Sequence, residues 1–253
     1  MSLDVLYTSI RGFIIVLPWV LELVLMDLMI SFFIPVSYLF PNWVYNASSF
    51  IAFTNWNWVQ VIFEVFNGGK ITISGDTLPE NETAIVIANH VSWTDFYMIQ
   101  ALAIRAGLIS FSEATRYTPK KYEEAKTWCK ENNRPLPKHL LYPRTKGFVT
   151  TVQHLRKAKH VKAVYDMTIA YSHHNKWHEA PTIWESLSCD DLSGKRGYKF
   201  HVEVKRFLLE ELPESDAGLA KWLETRWIEK GEYLEEKREE WSRSGNGHKP
   251  ITA

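Results

Sequence analysis

Hydrophobic positions in this 253-residue chain change character twice. Residues 12–40 are nearly continuous hydrophobe (Phe-Ile-Ile-Val-Leu-Pro-Trp-Val-Leu, Leu-Val-Leu-Met, then Leu-Met-Ile-Ser-Phe-Phe-Ile-Pro-Val). That run exceeds the ~20 residues needed to cross a bilayer. Glu22 and Asp27 would lie at depth, at about 2.5–3.5 kcal/mol each, and Pro18 and Pro35 predict kinks. The run is too long for a cleavable signal peptide, and no small-residue cleavage site follows it. A second stretch, 49–66, is rich in Trp and Phe (Trp56, Trp58, Phe63, Phe66), which suits a helix at a membrane interface. Burial of both stretches as core helices of a soluble protein is the competing reading. Arg11 is the only basic residue before Lys70, so charge does not set a topology.

Beyond residue 67 the pattern shortens. Residues 70–74, between Gly68-Gly69 and Gly75-Asp76, predict a strand, and Thr83–Ala88 is a short β-branched run of the kind buried on both faces. A helix is expected over 91–106 with Gly107 ending it, then a strand at 108–111. Pro119–Glu131 reads as a surface helix with Tyr122, Ala125, Trp128 and Cys129 on one side. Strands follow at 161–171 and 199–207. The second of these alternates, with Phe200, Val202 and Val204 inward and His201, Glu203 and Lys205 outward, as a half-exposed edge strand would. From Asp216, the expected N-cap, Leu219, Trp222, Leu223 and Trp227 recur at helical spacing as a packing stripe. Residues 242–253 are polar and expected to be disordered. The fold class is α/β, a mostly parallel sheet flanked by helices behind one or more N-terminal membrane helices. Its divisions are an anchoring region 1–67, an α/β domain 68–212, a C-terminal helix 213–241 and a tail 242–253.

Composition narrows the choices little. With 46% hydrophobic residues the chain can fill one α/β core and have apolar length to spare. Net charge is zero, which argues against a nucleic-acid partner. Cys129 and Cys189 are too few and too far apart for a disulfide framework.

The chemistry concentrates after the strand Thr83–Ala88. His90 falls in the loop beyond that strand's carboxyl end, where open α/β sheets place their ligands, and Asp95 follows five residues later. An imidazole there is a candidate general base if a carboxylate fixes its tautomer. The bland alternative is a capping box, with Ser92 as N-cap and Asp95 at N3. Further on lie Phe111-Ser-Glu-Ala-Thr-Arg116 and the run Leu-Tyr-Pro-Arg-Thr-Lys-Gly-Phe at 141–148.

Taken together these segments resemble the glycerolipid acyltransferase superfamily, most closely its eukaryotic, fungal-like 1-acyl-sn-glycerol-3-phosphate acyltransferases. The family's Asn-His-x4-Asp motif is matched at Asn89, His90 and Asp95. Its Phe-x-Glu-Gly-Thr-Arg motif is matched at Phe111, Glu113, Thr115 and Arg116, with Ala114 in place of the glycine. Pro143 to Gly147 looks like the eukaryotic branch, and the likeness runs from about residue 10 to about 240. The resemblance implies transfer of an acyl group from acyl-CoA to a lysophospholipid, most directly lysophosphatidate, in the endoplasmic reticulum membrane. His90 and Asp95 would be catalytic, and amides near His90 at the helix start would stabilise the oxyanion. Arg116, Arg144 and Lys146 would bind phosphate, Glu113 a glycerol hydroxyl, and Thr115 would shape the turn. The opposing readings are an Arg116–Glu113 surface pair and a solvated basic turn at 144–146. If the family's glycine sits at positive φ, Ala114 costs on the order of 1 kcal/mol.

One departure is large. The family carries a further arginine motif, Gly-x-x-Phe-Ile-x-Arg in form, between these two, together with tens of residues of strand and helix. Here only the 22 residues 91–112 separate His90 from Glu113, and Arg105, expected to face solvent, is the sole basic residue among them. The chain reads as though a segment had been removed at Gly107–Leu108. A catalytically inactive, lipid-binding scaffold is therefore the alternative to an O-acyltransferase, and a thioesterase in which His90 activates water is a third. No cofactor or metal is called for beyond acyl-CoA as co-substrate. His173, His174 and His178 lack the further ligands that would complete a tetrahedral site.

Overall fold

The long apolar run forms α1 (Leu3–Val36), one helix that contains both Pro18 and Pro35. A turn at 37–40 leads to α2 (Pro41–Val61), with Pro41 at the helix start where its missing N–H removes nothing. The helix expected at 49–66 is the end of α2 together with the π-turn Ile62–Phe66. In this computed structural model, residues 3–103, 108–174 and 176–245 are described. They fall into two units, Met1–Lys70 with Pro181–Tyr198, and Ile71–Ala180 with Lys199–Ala253. The expectations placed on Arg105, on Gly107 and on the tail beyond 245 lie outside the described residues.

In the first unit α1 packs on α2 and on α6 (Ile183–Ser188), so residues 181–198, which the sequence pattern assigned to the α/β domain, group with the N-terminal helices. Gly12 permits the approach to α6, since a Cβ there would come within 2.7 Å of Ser188 and Trp184. Arg11 is spent internally: its guanidinium donates to Asn67 Oδ1 (2.7 Å) and to the carbonyls of Ser188 (2.8 Å) and Phe66. Phe63 is fully buried, unlike an interfacial ring, while Phe66 is 48% exposed. The most apolar window of α1 has no buried residue.

The second unit is built on a six-stranded sheet in the order β1-β6-β4-β2-β3, with β5 paired to β4 off that path. The strands are β1 (Ile71–Gly75), β2 (Thr83–Ala88), β3 (Leu108–Phe111), β4 (Val161–His173), β5 (Lys176–Trp177) and β6 (Tyr198–Leu208). β1 runs parallel to β6, and β2 runs parallel to both β3 and β4. The helices are α3 (Asp95–Ala103), α4 (Pro119–Glu131), α5 (Thr145–Leu155) and α7 (Asp216–Gly245). Ile85 and Ile87 of β2 pack in one core with Phe148 and Val152 of α5 and Leu219, Leu223 and Trp227 of α7. Trp222 adds to that packing by stacking on Phe148, at 5.5 Å between ring centroids.

Three expectations need correction. β6 is an interior strand, flanked by β1 and β4. Its outward His201 is 4% exposed because the ring bonds Thr72 Oγ1 (2.7 Å), Ser74 Oγ (3.1 Å) and Tyr233 OH (2.6 Å), so the polar alternation serves neighbouring elements and not solvent. α3 begins at Asp95 and not at 91, because 91–94 form a turn that feeds its amides to the Asp95 carboxylate. At the start of α7, Ser215 is the capping residue, its Oγ accepting from Gly218 N at 3.1 Å, and the helix runs on through the first part of the expected tail.

Candidate active site

β2 delivers His90. Asn89, fully buried, continues the ladder by side chain: its amide donates to Ile169 O (3.0 Å), and its Oδ1 accepts from Ile169 N (2.8 Å). This fixes the chain direction where β2 ends. The His90 carbonyl accepts from Tyr117 N at 2.7 Å, and the imidazole stacks on Phe111 of β3, centroids 4.1 Å apart and 23° from parallel. The ring's position is therefore set by two neighbouring strands.

Asp95 is fully buried, and both of its oxygens are engaged. Oδ2 accepts from His90 Nδ1 (2.7 Å), Val91 N (2.8 Å) and Ser92 N (3.1 Å), while Oδ1 accepts from Tyr171 OH (2.6 Å). One carboxylate thus serves the turn and the imidazole together. Donation from Nδ1 leaves the Nε2 lone pair as the basic position of a side chain that is 18% exposed. Among the described residues Nε2 has no hydrogen-bond partner. Burial, and then the adjoining Asp95, push the Tyr171 phenol well above its usual pKa, which keeps it a donor. The Val91 and Ser92 amides, from which oxyanion stabilisation was expected, are committed to Asp95.

Glu113 lies elsewhere than a surface pair would put it. It is 3% exposed, accepts from Trp227 Nε1 at 3.2 Å, and is pushed up to about 8 by burial. Arg116 is exposed and forms no ion pair among the described residues, so the pairing with Glu113 does not occur. Ala114 has φ +56°, the conformation for which the family's glycine is suited. Thr115 Oγ1 accepts from Lys121 Nζ.

The Ser112 carbonyl accepts from Arg144 N at 2.7 Å, which brings the start of α5 to this turn. Between them a cavity of about 860 Å³ is lined by Glu113, Thr115, Lys121, Trp128, Arg144 and Lys146, among others. A neighbouring cavity of about 540 Å³ shares Arg144 and Lys146 and reaches Phe111, the ring on which His90 stacks. Arg144 occupies the N-cap position of α5 without a side-chain cap, leaving the helix's first amides for an anion. The structure accordingly brings together Glu113, Thr115, Arg144 and Lys146 in one cavity, and joins His90, with Asp95, to the second cavity through the Phe111 ring; Arg116 lines neither cavity.

Sequence reasoning missed Lys121 and Tyr171. Lys121 belongs to the first turn of a helix whose placement is purely tertiary. Tyr171 had a faint signal, since a phenol within a buried apolar strand needs a partner. Among the described residues no three His, Cys, Asp or Glu side chains assemble as a metal site.

The acyltransferase C-terminus family matches residues 191–240. The chain is 34% identical over 128 residues to 1-acyl-sn-glycerol-3-phosphate acyltransferase 3 of Arabidopsis thaliana (51% of this chain, 31% of the relative). It is 37% identical over 135 residues to 1-acyl-sn-glycerol-3-phosphate acyltransferase delta of Bos taurus (53% and 31%). A probable 1-acyl-sn-glycerol-3-phosphate acyltransferase 5 of Arabidopsis thaliana is 25% identical over 219 residues (64% and 55%). That last alignment is longer than the share of this chain it covers, so the relative carries tens of residues without a counterpart here. The chain spans about a third of the length of the first two relatives. No solved structure matches it.

Proposed function

We propose that this chain, a member of the glycerolipid acyltransferase superfamily, transfers a fatty acyl group from acyl-CoA to the free hydroxyl of a lysophospholipid, most directly 1-acylglycerol 3-phosphate, at the endoplasmic reticulum membrane. The observation that carries the reading is the His90–Asp95 pair, held at 2.7 Å at the end of β2, with the imidazole stacked on Phe111, which lines a cavity together with Arg144 and Lys146.

The geometry supports the following chemistry. With Nδ1–H held by Asp95, Nε2 takes the proton of the acceptor hydroxyl as its oxygen bonds to the thioester carbonyl carbon. The tetrahedral oxyanion then re-forms the carbonyl and breaks the C–S bond. The CoA sulfur leaves and takes the proton back from Nε2–H. The products are phosphatidate and free CoA, with no acyl-enzyme. Arg144, Lys146 and the start of α5 hold the acceptor phosphate, and Glu113 meets a glycerol oxygen.

His90→Ala is expected to lower the rate of lysophosphatidate-dependent CoA release by about 10²–10⁴-fold with little change in lysolipid affinity, and Asp95→Asn to follow it. Near-parental turnover in His90→Ala would end the general-base role. CoA release that ignores added lysolipid would identify a thioesterase instead. A second reading, an inactive lipid-binding scaffold, is favoured by one feature, the short His90-to-Glu113 connection without the family's second arginine. Lysophosphatidate binding without CoA release is the result that would select it.

A further inference from the structure

The acid in this site is gripped from below by a helix that contributes none of the expected site residues. Glu113 lines the larger cavity, its Oε1 accepts from Trp227 Nε1 at 3.2 Å, and its buried Oε2 has no hydrogen-bond partner. Trp227 is fully buried on α7, and one turn later Lys230 lies 4.9 Å from its ring centroid. Lys230 is itself 2% exposed. Its ammonium pairs with Asp166 of β4 at 2.5 Å and donates to Met167 O at 2.6 Å.

A buried ion pair of this kind is poor value as plain stability, because two well-packed apolar side chains would serve as well. Its location is informative. The carbonyl it engages on β4 belongs to Met167, which is in register with Ala88, two residues before His90. A longer bond, 3.5 Å, reaches Ile87 O of β2, three residues before His90. The charge therefore sits under the point where the sheet hands over to the site, and it also lies against the indole that holds Glu113.

We propose that Trp227 and Lys230 are positioning residues for Glu113, so that α7 is the floor of the acceptor site. Trp227 fixes one carboxyl oxygen and leaves the other for an oxygen of a phosphorylated glycerol, and Lys230 fixes Trp227. This rests on the reading of the cavity as the acceptor site. It assigns a role to a stretch of the matched C-terminal region, 191–240, that holds neither the base nor the phosphate ligands.

Several charged or titratable groups surround Glu113. The His90 backbone N–H bears on it from the end of β2, Lys230 faces it from α7, Asp95 from the start of α3 and Tyr117 from its own loop. Lys121 of α4 and Arg144 and Lys146 of α5 line the same cavity, and Glu203 of β6 acts on Lys230. Removing the indole N–H takes away a donor to the carboxylate, and removing Lys230 takes away a cation; both changes favour the protonated acid.

The test follows the Glu113 titration in the detergent-solubilised full chain by its carboxylic-acid infrared band, assigned by its loss in Glu113→Gln. Trp227→Phe should move the titration alkaline by about one pH unit. Lys230→Met leaves Asp166 unpaired and risks unfolding, so it is paired with Asp166→Asn; the double variant should shift the titration the same way. Each should weaken binding of sn-glycerol 3-phosphate about tenfold. Folded variants whose titration matches the parent's, including variants that only melt earlier, would overturn the positioning role. A shifted titration in a chain that does not bind sn-glycerol 3-phosphate would uphold the positioning and remove the acceptor-site reading.

Discussion

At φ +56° the Cβ of Ala114 crowds the backbone, a conformation that costs an L-residue on the order of 1 kcal/mol and glycine nothing. Ala114→Gly should therefore raise stability by up to about 1 kcal/mol, less what the freer unfolded chain takes back, read as a higher denaturation midpoint. An unchanged or lower midpoint would mean the turn relaxes around the methyl. Its neighbour Glu113 makes a pH-dependent statement. Burial lets the folded protein keep this proton up to about pH 8, whereas an exposed glutamate loses it near its ordinary value of 4.5. Between those values the folded state binds the extra proton, so Glu113's contribution to stability falls as pH rises. Glu113→Gln should melt like the parent at about pH 5 and above it at about pH 9, each unit of that window being worth at most about 1.4 kcal/mol. A constant offset at both pH values would show that Glu113 does not carry the proton. The two residues differ in how far the sequence exposed them. Ala114 could be read because a glycine position is a backbone conformation. The burial of Glu113 could not, because Trp227, 114 residues away, makes its environment. His90 and Asp95 were legible as a pair, yet the expected capping box of Ser92 and Asp95 does not form, because α3 begins at Asp95 and the carboxylate instead accepts from the imidazole and from the Val91 and Ser92 amides of the preceding turn.

Elements were legible where their pattern was local. The apolar run yields α1, whose exposed side chains include Leu25, Leu28 and Phe32, and whose most apolar window holds no buried residue. A helix of 34 residues at 1.5 Å per residue exceeds the hydrocarbon thickness of a bilayer. The expected outcome is retention of the full chain in the membrane pellet after alkaline carbonate washing. Recovery of most of it in the supernatant without detergent would rule out an integral anchor. β6 shows where local pattern misleads. Alternation of apolar and polar residues says that two faces differ, but not whether water or a neighbouring side chain satisfies the polar one. For His201 the partners are Thr72, Ser74 and Tyr233, on β1 and α7. The start of α3 was misplaced for a related reason: 91–94 have helical spacing, but their amides are claimed by Asp95.

For the molecule as a whole, the question is what the short path from His90 to Glu113 removes. It leaves the sheet closed, since β2, α3 and β3 complete a parallel crossover with Ile85 opposite Leu108 and Ala88 opposite Phe111. Phe111 is delivered under the imidazole, and Glu113 and Ala114 follow in their turn, so the His90–Asp95 pair and the cavity are both in place. Against the pattern the resemblance implies, the path is one cation short. Arg144, Lys146 and Lys121 line the cavity, but the arginine of the family's intervening motif has no counterpart among residues 91–112 other than Arg105, which lies outside the described residues. A charged hydrogen bond to the acceptor phosphate is worth about 1.5–3 kcal/mol, or roughly ten- to a hundredfold in turnover at low substrate. This chain should therefore release CoA slowly with lysophosphatidate. Inserting a relative's segment after Leu108 should raise that rate by at least about tenfold, and should raise the melting temperature if the segment also packs on the sheet edge that β3 now forms. Replacing the restored arginine by Met should return the rate to the short chain's level while keeping the gain in melting temperature, which separates phosphate binding from packing. Equal rates in the short and restored chains would show that Lys121, Arg144 and Lys146 suffice for the acceptor phosphate and that the segment is dispensable to the site.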